Sequence, residues 1–255
     1  MITKKELQDF ARLKNLTLGN AEKDYLIDIA LLSISKNTKN ELIFKGGTCL
    51  YKFYKLSRFS EDLDFSLTKD IDVNKLIEKI LLDFQRFGIN AVQHLKKEPH
   101  NSVLITLRIQ GPLFTGNTRT YSSLGIDINL KSSVVLEPEL LACNSIYPEL
   151  PSINVLSMNP KEIFAEKIRA IMTRTRARDL FDLYFLLNKG VYSDKKLIEE
   201  KMEYYNQEFD IKKLNLRIKD LKEKWTKELK GFTSYLPNFE DVSKDVSNNL
   251  SKLYK

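Results

Sequence analysis

The sequence predicts an α+β protein, with a lobe built on a central mixed sheet followed by a C-terminal lobe made of helices. Three observations carry this prediction. Short β-rich or alternating runs surround one helical stretch between residues 42 and 130. Prolines at 138, 148 and 151 then punctuate the chain, which reads as a connection between lobes. After Asn159-Pro160, apolar residues recur almost wholly at helical spacing. The expected division is 1–157 for the sheet lobe and 158–255 for the helical lobe.

In order, residues 1–18 and 21–36 read as helices, the second with Tyr25, Leu26, Ile29 and Leu32 at helical spacing. Strand candidates are Leu42 to Phe44, Leu63 to Leu67, Ile89 to Val92, Val103 to Ile109 and Leu124 to Leu130. Between the second and third lies a helix over Asp72 to Phe87, marked by Leu76, Ile77, Ile80, Leu81 and Phe84. The C-terminal helices are expected at 161–174, 177–188, 193–206, 210–230 and 240–253.

The 255 residues are 42% hydrophobic and 29% charged, enough for a core and incompatible with a disordered tail, a collagen-like fibre or a disulfide-stapled mini-domain. The segment Met1 to Phe10 has no apolar signal region, and no stretch approaches the roughly 20 apolar residues of a membrane span. A cytoplasmic protein is expected. The net charge is +7, and its densest excess lies between residues 161 and 190, where seven basic residues face four acidic ones. That distribution argues against a broad coating of nucleic acid and for a local grip on one end of a polyanion.

The most informative run is Phe44-Lys45-Gly46-Gly47-Thr48-Cys49-Leu50, followed by Arg58-Phe59-Ser60-Glu61-Asp62-Leu63-Asp64-Phe65. Adjacent glycines between a strand and a helix let backbone N–H groups approach a phosphate at a helix N-terminus, with the Thr48 hydroxyl as a further donor. A tight turn is the plainer reading of Gly46-Gly47 alone. Asp62 and Asp64, two apart on a strand, project from one face roughly 6.6 Å apart along the chain. Such carboxylates repel, and a hard divalent cation is the usual remedy unless the strand end is simply solvated.

Asp127 supplies a third acid. Ile126, Ile128 and Leu130 form one apolar face, so Asp127 and Asn129 point to the other. If the two strands are neighbours, three carboxylates converge. A trio of that kind suits two Mg²⁺ (or Mn²⁺) ions about 3.5–4 Å apart, one activating an attacking hydroxyl and one clamping a nucleoside triphosphate.

Gly46-Gly47-Thr48 with Arg58-x-Ser60-x-Asp62-x-Asp64 resembles the first motif of the DNA polymerase β-like nucleotidyltransferases, in the form seen in the AbiEii/AbiGii toxin family of type IV toxin–antitoxin systems. Downstream, Pro160-Lys161-Glu162-Ile163-Phe164-Ala165-Glu166-Lys167-Ile168-Arg169-Ala170 is similar to that family's lysine helix. Arg178-Asp179-Leu180-Phe181-Asp182-Leu183-Tyr184 is similar to its final Asp-x-x-Asp-Leu motif. The three motifs cover roughly residues 40–190.

The last two motifs are also unusual as physical patterns. Lys167 lies in one helical row with Ile163 and Ile171, along the apolar stripe. It either snorkels or brings a point charge to a triphosphate. Asp179 and Asp182 occupy a helix that is apolar nearly all round, where an unpaired aspartate is costly. Asp179 could cap the helix or pair with Arg176 or Arg178. The resemblance instead makes both aspartates part of the active-site wall, positioning a basic residue, the nucleotide or the acceptor. No acid occurs from Lys167 to Arg178, and Arg174, Arg176 and Arg178 offer phosphate-binding forks to RNA, or else form a solvated basic turn. His94 and His100 lack ligand-like partners, so zinc is not expected, and Cys49 reads as a small core residue.

The resemblance implies a nucleotidyltransferase that moves a nucleoside monophosphate from an NTP to an acceptor hydroxyl. Asp62, Asp64 and Asp127 would hold metal, and Gly46, Gly47, Thr48, Arg58, Ser60 and Lys167 would bind the nucleotide. Asp127, Lys167, Asp179 and Asp182 would complete the catalytic set, with the helical lobe completing the cleft. The resemblance further implies a tRNA 3′ end as acceptor, a role in phage defence by abortive infection, and a separately encoded antitoxin that need not bind tightly. The alternatives are a catalytically silent nucleotide- or RNA-binding relative and an Asp-x-Asp glycosyltransferase. Gly46-Gly47-Thr48 and the lysine helix count against the glycosyltransferase.

Overall fold

The computed structural model describes residues 1–99, 101–131 and 133–254. By its internal contacts the chain divides into two units. The first comprises Met1–Phe53, Phe59–Ser132 and Pro138–Ser157, and the second Tyr54–Arg58, Ser133–Glu137 and Met158–Lys255. Among the described residues no helix is long and apolar enough to cross a membrane.

Among the described residues the first unit is a seven-stranded mixed sheet with four α-helices and one short 3-10 turn. Helix α1 (Lys4–Lys14) starts at a capping box in which Thr3 and Glu6 satisfy each other's backbone N–H groups. Helix α2 (Leu18–Asn37) is capped by Thr17 and is buried nearly all round. Strand β1 (Leu42–Lys45) runs straight into α3 (Gly46–Tyr54) through Gly46, whose φ of +75° favours glycine. Strand β2 (Leu63–Leu67) and helix α4 (Val73–Arg86, capped by Asp72) follow, then β3 (Ala91–Lys97), β4 (Ser102–Ile109), β5 (Ser122–Asn129), β6 (Glu139–Cys143) and β7 (Ile153–Ser157). The strand order is β3-β4-β5-β2-β1-β7-β6, with β2/β5 and β1/β7 parallel and the other pairs antiparallel.

Two expectations are corrected in this unit. The proline-marked stretch from Glu137 to Ser157 is not merely a connection, since it forms β6 and β7 at one end of the sheet. Strand β6 is largely exposed, and Pro148 and Pro151 fall between the two strands, so the prolines mask the pairing. The strand expected at Ile89 to Val92 begins at Ala91 and runs on to Lys97. It is an edge strand, mostly exposed on both faces, with a register shift at Gln93/Leu95 and lysines at its end, so it carries no apolar alternation to read.

A buried ionic cluster braces α3 from below. Asp24 and Asp28 of α2 both receive the Lys52 ammonium of α3, the first at 2.7 Å. Lys14 and the Tyr147 hydroxyl also donate to Asp24, at 2.6 and 2.9 Å, and Ser145 donates to Asp28 at 2.8 Å. Burial drives the Asp24 carboxyl up, but Lys52 and Lys14 reverse this and hold it at about 2. For Asp28 burial prevails and its carboxyl is raised.

The second unit holds α5 (Pro160–Thr173), α6 (Ala177–Asn188), α7 (Lys195–Glu203), α8 (Ile211–Lys219), α9 (Lys222–Leu229) and α10 (Phe239–Leu253). The single helix expected over 210–230 is two. The apolar positions Leu214, Ile218, Leu221, Trp225 and Leu229 keep helical spacing across the break, which hides it from the sequence. At the break Leu221 N–H bonds Ile218 O and Lys224 N–H bonds Leu221 O, a tighter turn than the α-helix. The buried Glu162 carboxylate accepts the Val135 and Leu136 N–H groups at 3.0 and 2.9 Å and pairs with Lys201, which ties the short 133–137 segment to this unit.

Candidate active site

Strands β2 and β5 are adjacent and parallel, and their register places the Cα of Asp64 opposite that of Asp127. Opposite residues on neighbouring strands face the same side about 4.8 Å apart. Leu63 pairs with Ile126, so Asp62, just before β2, lies level with Gly125. A Cβ on Gly125 would stand 2.6 Å from Asp62 Oδ1, and one on Gly46 would stand 2.3 Å from Asp64 Oδ2. Both carboxylates therefore occupy space that exists only because those residues are glycines. Leu63, Phe65, Ile126 and Ile128 are buried on the opposite face, where they anchor the strands.

Carboxylate oxygens are the donors a hard divalent cation takes, so the residues fit such an ion in chemistry. Among the described residues, no three His, Cys, Asp or Glu side chains are gathered to hold a metal as they stand. Asp64 and Asp127 share a face by register, and Asp62 lies level with Gly125 beside them.

Lys45, which the sequence did not single out, also stands in this row. Its Cα is the antiparallel partner of Asp64, so Lys45, Asp64 and Asp127 form a row across three strands, and Lys45 is only 7% exposed. It ends a strand whose four residues are all buried, an unusual place for a lysine that the fold reveals.

The start of α3 presents Gly46 and Gly47 at a helix N-terminus following β1. The Thr48 hydroxyl, expected to serve a phosphate, donates instead to the Asp62 carbonyl at 2.5 Å. It thereby fastens the helix to the segment that carries the acids. Ser60 is buried. Burial pushes the Cys49 thiol up, consistent with a core residue. His94 sits on β3, and His100 lies outside the described residues.

In the second unit the expected site residues form an alternating row of charges. Arg58 donates from Nε and Nη2 to the two oxygens of Asp182, 2.7 Å each. Lys167 lies 2.7 Å from Asp182 Oδ2 and 2.9 Å from Asp179 Oδ1. Arg174 closes the row, donating from Nε and Nη2 to Asp179 at 2.8 and 2.9 Å. Lys167 is buried and does not snorkel. Desolvation would lower its ammonium, but the two aspartates outweigh this and raise it. Burial would likewise raise Asp179, yet Lys167 and Arg174 hold it well below the usual carboxylate range.

The open choices for Asp179 thus resolve differently from either pairing the sequence offered, since its partners are Lys167 and Arg174 rather than Arg176 or Arg178. Arg58 engages Asp182 with the fork expected to face a nucleotide. Arg176 is exposed at the N-cap of α6, and Arg178 lies over the Phe232 ring at 5.4 Å.

The chain matches the family described as "Nucleotidyl transferase AbiEii toxin, Type IV TA system" over residues 30–245. It belongs to the AbiEii nucleotidyltransferase toxin family. The match spans both the Asp64/Asp127 pair and the Lys167 row. Among solved structures, the AbiEii chain is similar to MenT4, a nucleotidyltransferase toxin of Mycobacterium tuberculosis H37Rv. The TM-score is 0.70 and the identity 19%, over 99% of this chain and 91% of that one. It is also similar to JHP933 from Helicobacter pylori, with a TM-score of 0.55 and 21% identity over 94% and 93% of the two chains. At these identities the likenesses establish the fold of the AbiEii chain. A search among curated proteins finds none that matches it by sequence.

Proposed function

We propose that this nucleotidyltransferase toxin is divalent-metal dependent and transfers a nucleoside monophosphate from an NTP to the 3′-terminal hydroxyl of tRNA. Its biological setting on this reading is abortive infection, with a separately encoded antitoxin. The observation that carries the catalytic part is the Asp64–Asp127 register, with Asp62 on the same face in the space beside Gly125.

A cation held by Asp62, Asp64 and Asp127 would supply Lewis-acid activation and offset the phosphate charge. The residues of the chain do the rest. Asp127 draws the proton from the acceptor hydroxyl, whose oxygen bonds to the α-phosphorus as the α–β bridging P–O bond breaks and pyrophosphate leaves with the electron pair. The α3 N-terminus offers the Gly47 and Thr48 N–H groups to the terminal phosphates. Lys167 donates to Asp179 and is ion-paired with Asp182, and its ammonium serves a pyrophosphate oxygen. Arg176 is an exposed fork of the basic run and, unlike Arg174, does not hold the Asp179 carboxylate, so it best suits an RNA phosphate.

Induced expression of the wild type and of Asp62→Ala tests this reading in cells. Wild type should arrest growth and the variant should not. Equal toxicity of the two would remove metal-dependent transfer as the cause.

A further inference from the structure

The Lys167 row contains more positive charge than its own stability calls for. Asp179 and Asp182 are 2% and 0% exposed, so their charges must be compensated inside the protein. Lys167 with its two aspartates carries a net −1, a poor surface for a triphosphate. One arginine would bring the group to zero. The structure supplies two, symmetrically placed. Each aspartate accepts a two-pronged guanidinium fork and shares one of its oxygens with the central ammonium. The five groups together carry +1.

We propose that Arg58 and Arg174 are positioning residues that set the charge Lys167 presents. They neutralise Asp182 and Asp179 and fix them, so that the ammonium is oriented by both carboxylates yet its charge is left for the nucleotide's phosphates. The proposal rests on the reading that Lys167 meets the triphosphate. It gives Arg174 a role different from an RNA contact and Arg58 a role different from a direct phosphate ligand. The geometry explains why arginine stands at both ends. A planar fork covers both oxygens of a carboxylate and holds it in one orientation, whereas a lysine would make a single movable contact.

Arg174 is the position to test. Its side chain is 52% exposed, against 3% for Arg58, so its replacement is the less disruptive one. The probe is inorganic triphosphate, which has no base, titrated calorimetrically into the full chain in EDTA so that metal binding plays no part. Arg174→Met should weaken binding about tenfold, equivalent to about 1.4 kcal/mol. Adding Asp179→Asn to Arg174→Met returns the group to +1 and keeps an amide oxygen for Lys167, so the double variant should bind within about twofold of wild type. Arg174→Lys, which keeps the charge, should also stay within a few-fold and gives a second route should Arg174→Met fold poorly. If the double variant binds as weakly as Arg174→Met, Arg174 touches phosphate itself and the proposal fails. If Arg174→Met binds like wild type, charge setting is likewise wrong. If Lys167→Met binds like wild type, the assignment of Lys167 to the triphosphate falls first and takes the proposal with it.

Discussion

Gly125 has no side chain where Asp62 needs room, since a methyl group there would lie 2.6 Å from the Asp62 carboxylate. The relationship separates activity from folding, because Gly125 has no left-handed backbone torsion and alanine can adopt its conformation. Gly125→Ala should displace Asp62 and lower the transfer rate about 100-fold, as misplacements of about 1 Å do. Its melting temperature should stay within a few degrees of wild type. Initial rates and a thermal melt on the same sample check this, and an unimpaired rate would mean that Asp62 does not work from this position.

Lys52 anchors α3, and hence the Gly46-Gly47 turn, to two buried aspartates of α2. Lys52→Met would leave both carboxylates with one fewer cation in a site where the Lys52, Asp24 and Asp28 side chains are 4%, 0% and 1% exposed. The expected loss is about 3–5 kcal/mol. Urea unfolding measures it, and a loss under about 1 kcal/mol would show the cluster to be solvated.

The Asp179–Lys167 pair has a defined pH window. Asp179 is depressed in the fold, so its stabilisation is complete above the unfolded value of about 3.9 and is lost as pH falls through the lower folded value. Lys167 is raised, so its stabilisation is complete below about 10.4 and is lost as pH rises through the higher folded value. Asp179→Asn should therefore cost on the order of 2 kcal/mol near neutral pH. The gap from wild type should narrow only as the solution becomes more acid than about pH 3.9. Denaturant midpoints taken from pH 7 to pH 2.5 follow the gap, and a constant difference across that range would contradict the ionic role.

Glu162 holds the 133–137 segment by two backbone N–H groups and Lys201. Glu162→Gln keeps one acceptor oxygen but removes the charge that pairs with Lys201. Limited proteolysis should then cut within 133–137 faster than in wild type, and an unchanged cleavage rate would show that the segment is held by other means.

The sequence carried the mixed sheet and the helical lobe because most elements bury one face, as in the alternation of Leu124, Ile126 and Ile128 or the periodic run from Ile163 to Ile171. The edge strand β6 stayed hidden, and most of β3 beyond Val92 was missed, for the converse reason, since solvent on their faces erases the pattern. Asp62-x-Asp64 and Asp127 stood out as candidates only when joined to Gly46-Gly47-Thr48, because carboxylates at a strand end are as readily a solvated turn or an ordinary polar face. Their register was not legible, since pairing of β2 with β5 depends on contacts more than sixty residues apart in sequence. The same limit concealed the Arg58 fork on Asp182, where the partners are 124 positions apart. Lys45 escaped notice because its meaning comes from the strand beside it rather than from its neighbours in the chain.

The most direct test is transfer itself. The purified chain is incubated with total tRNA, Mg²⁺ and each α-labelled NTP in turn, alongside Asp64→Asn. Label should appear at tRNA 3′ ends with wild type, disappear when EDTA is added, and be absent with Asp64→Asn. Undiminished labelling by Asp64→Asn, or no labelling by wild type with any of the four nucleotides, would contradict the assignment of metal-dependent nucleotidyl transfer to the Asp64–Asp127 face.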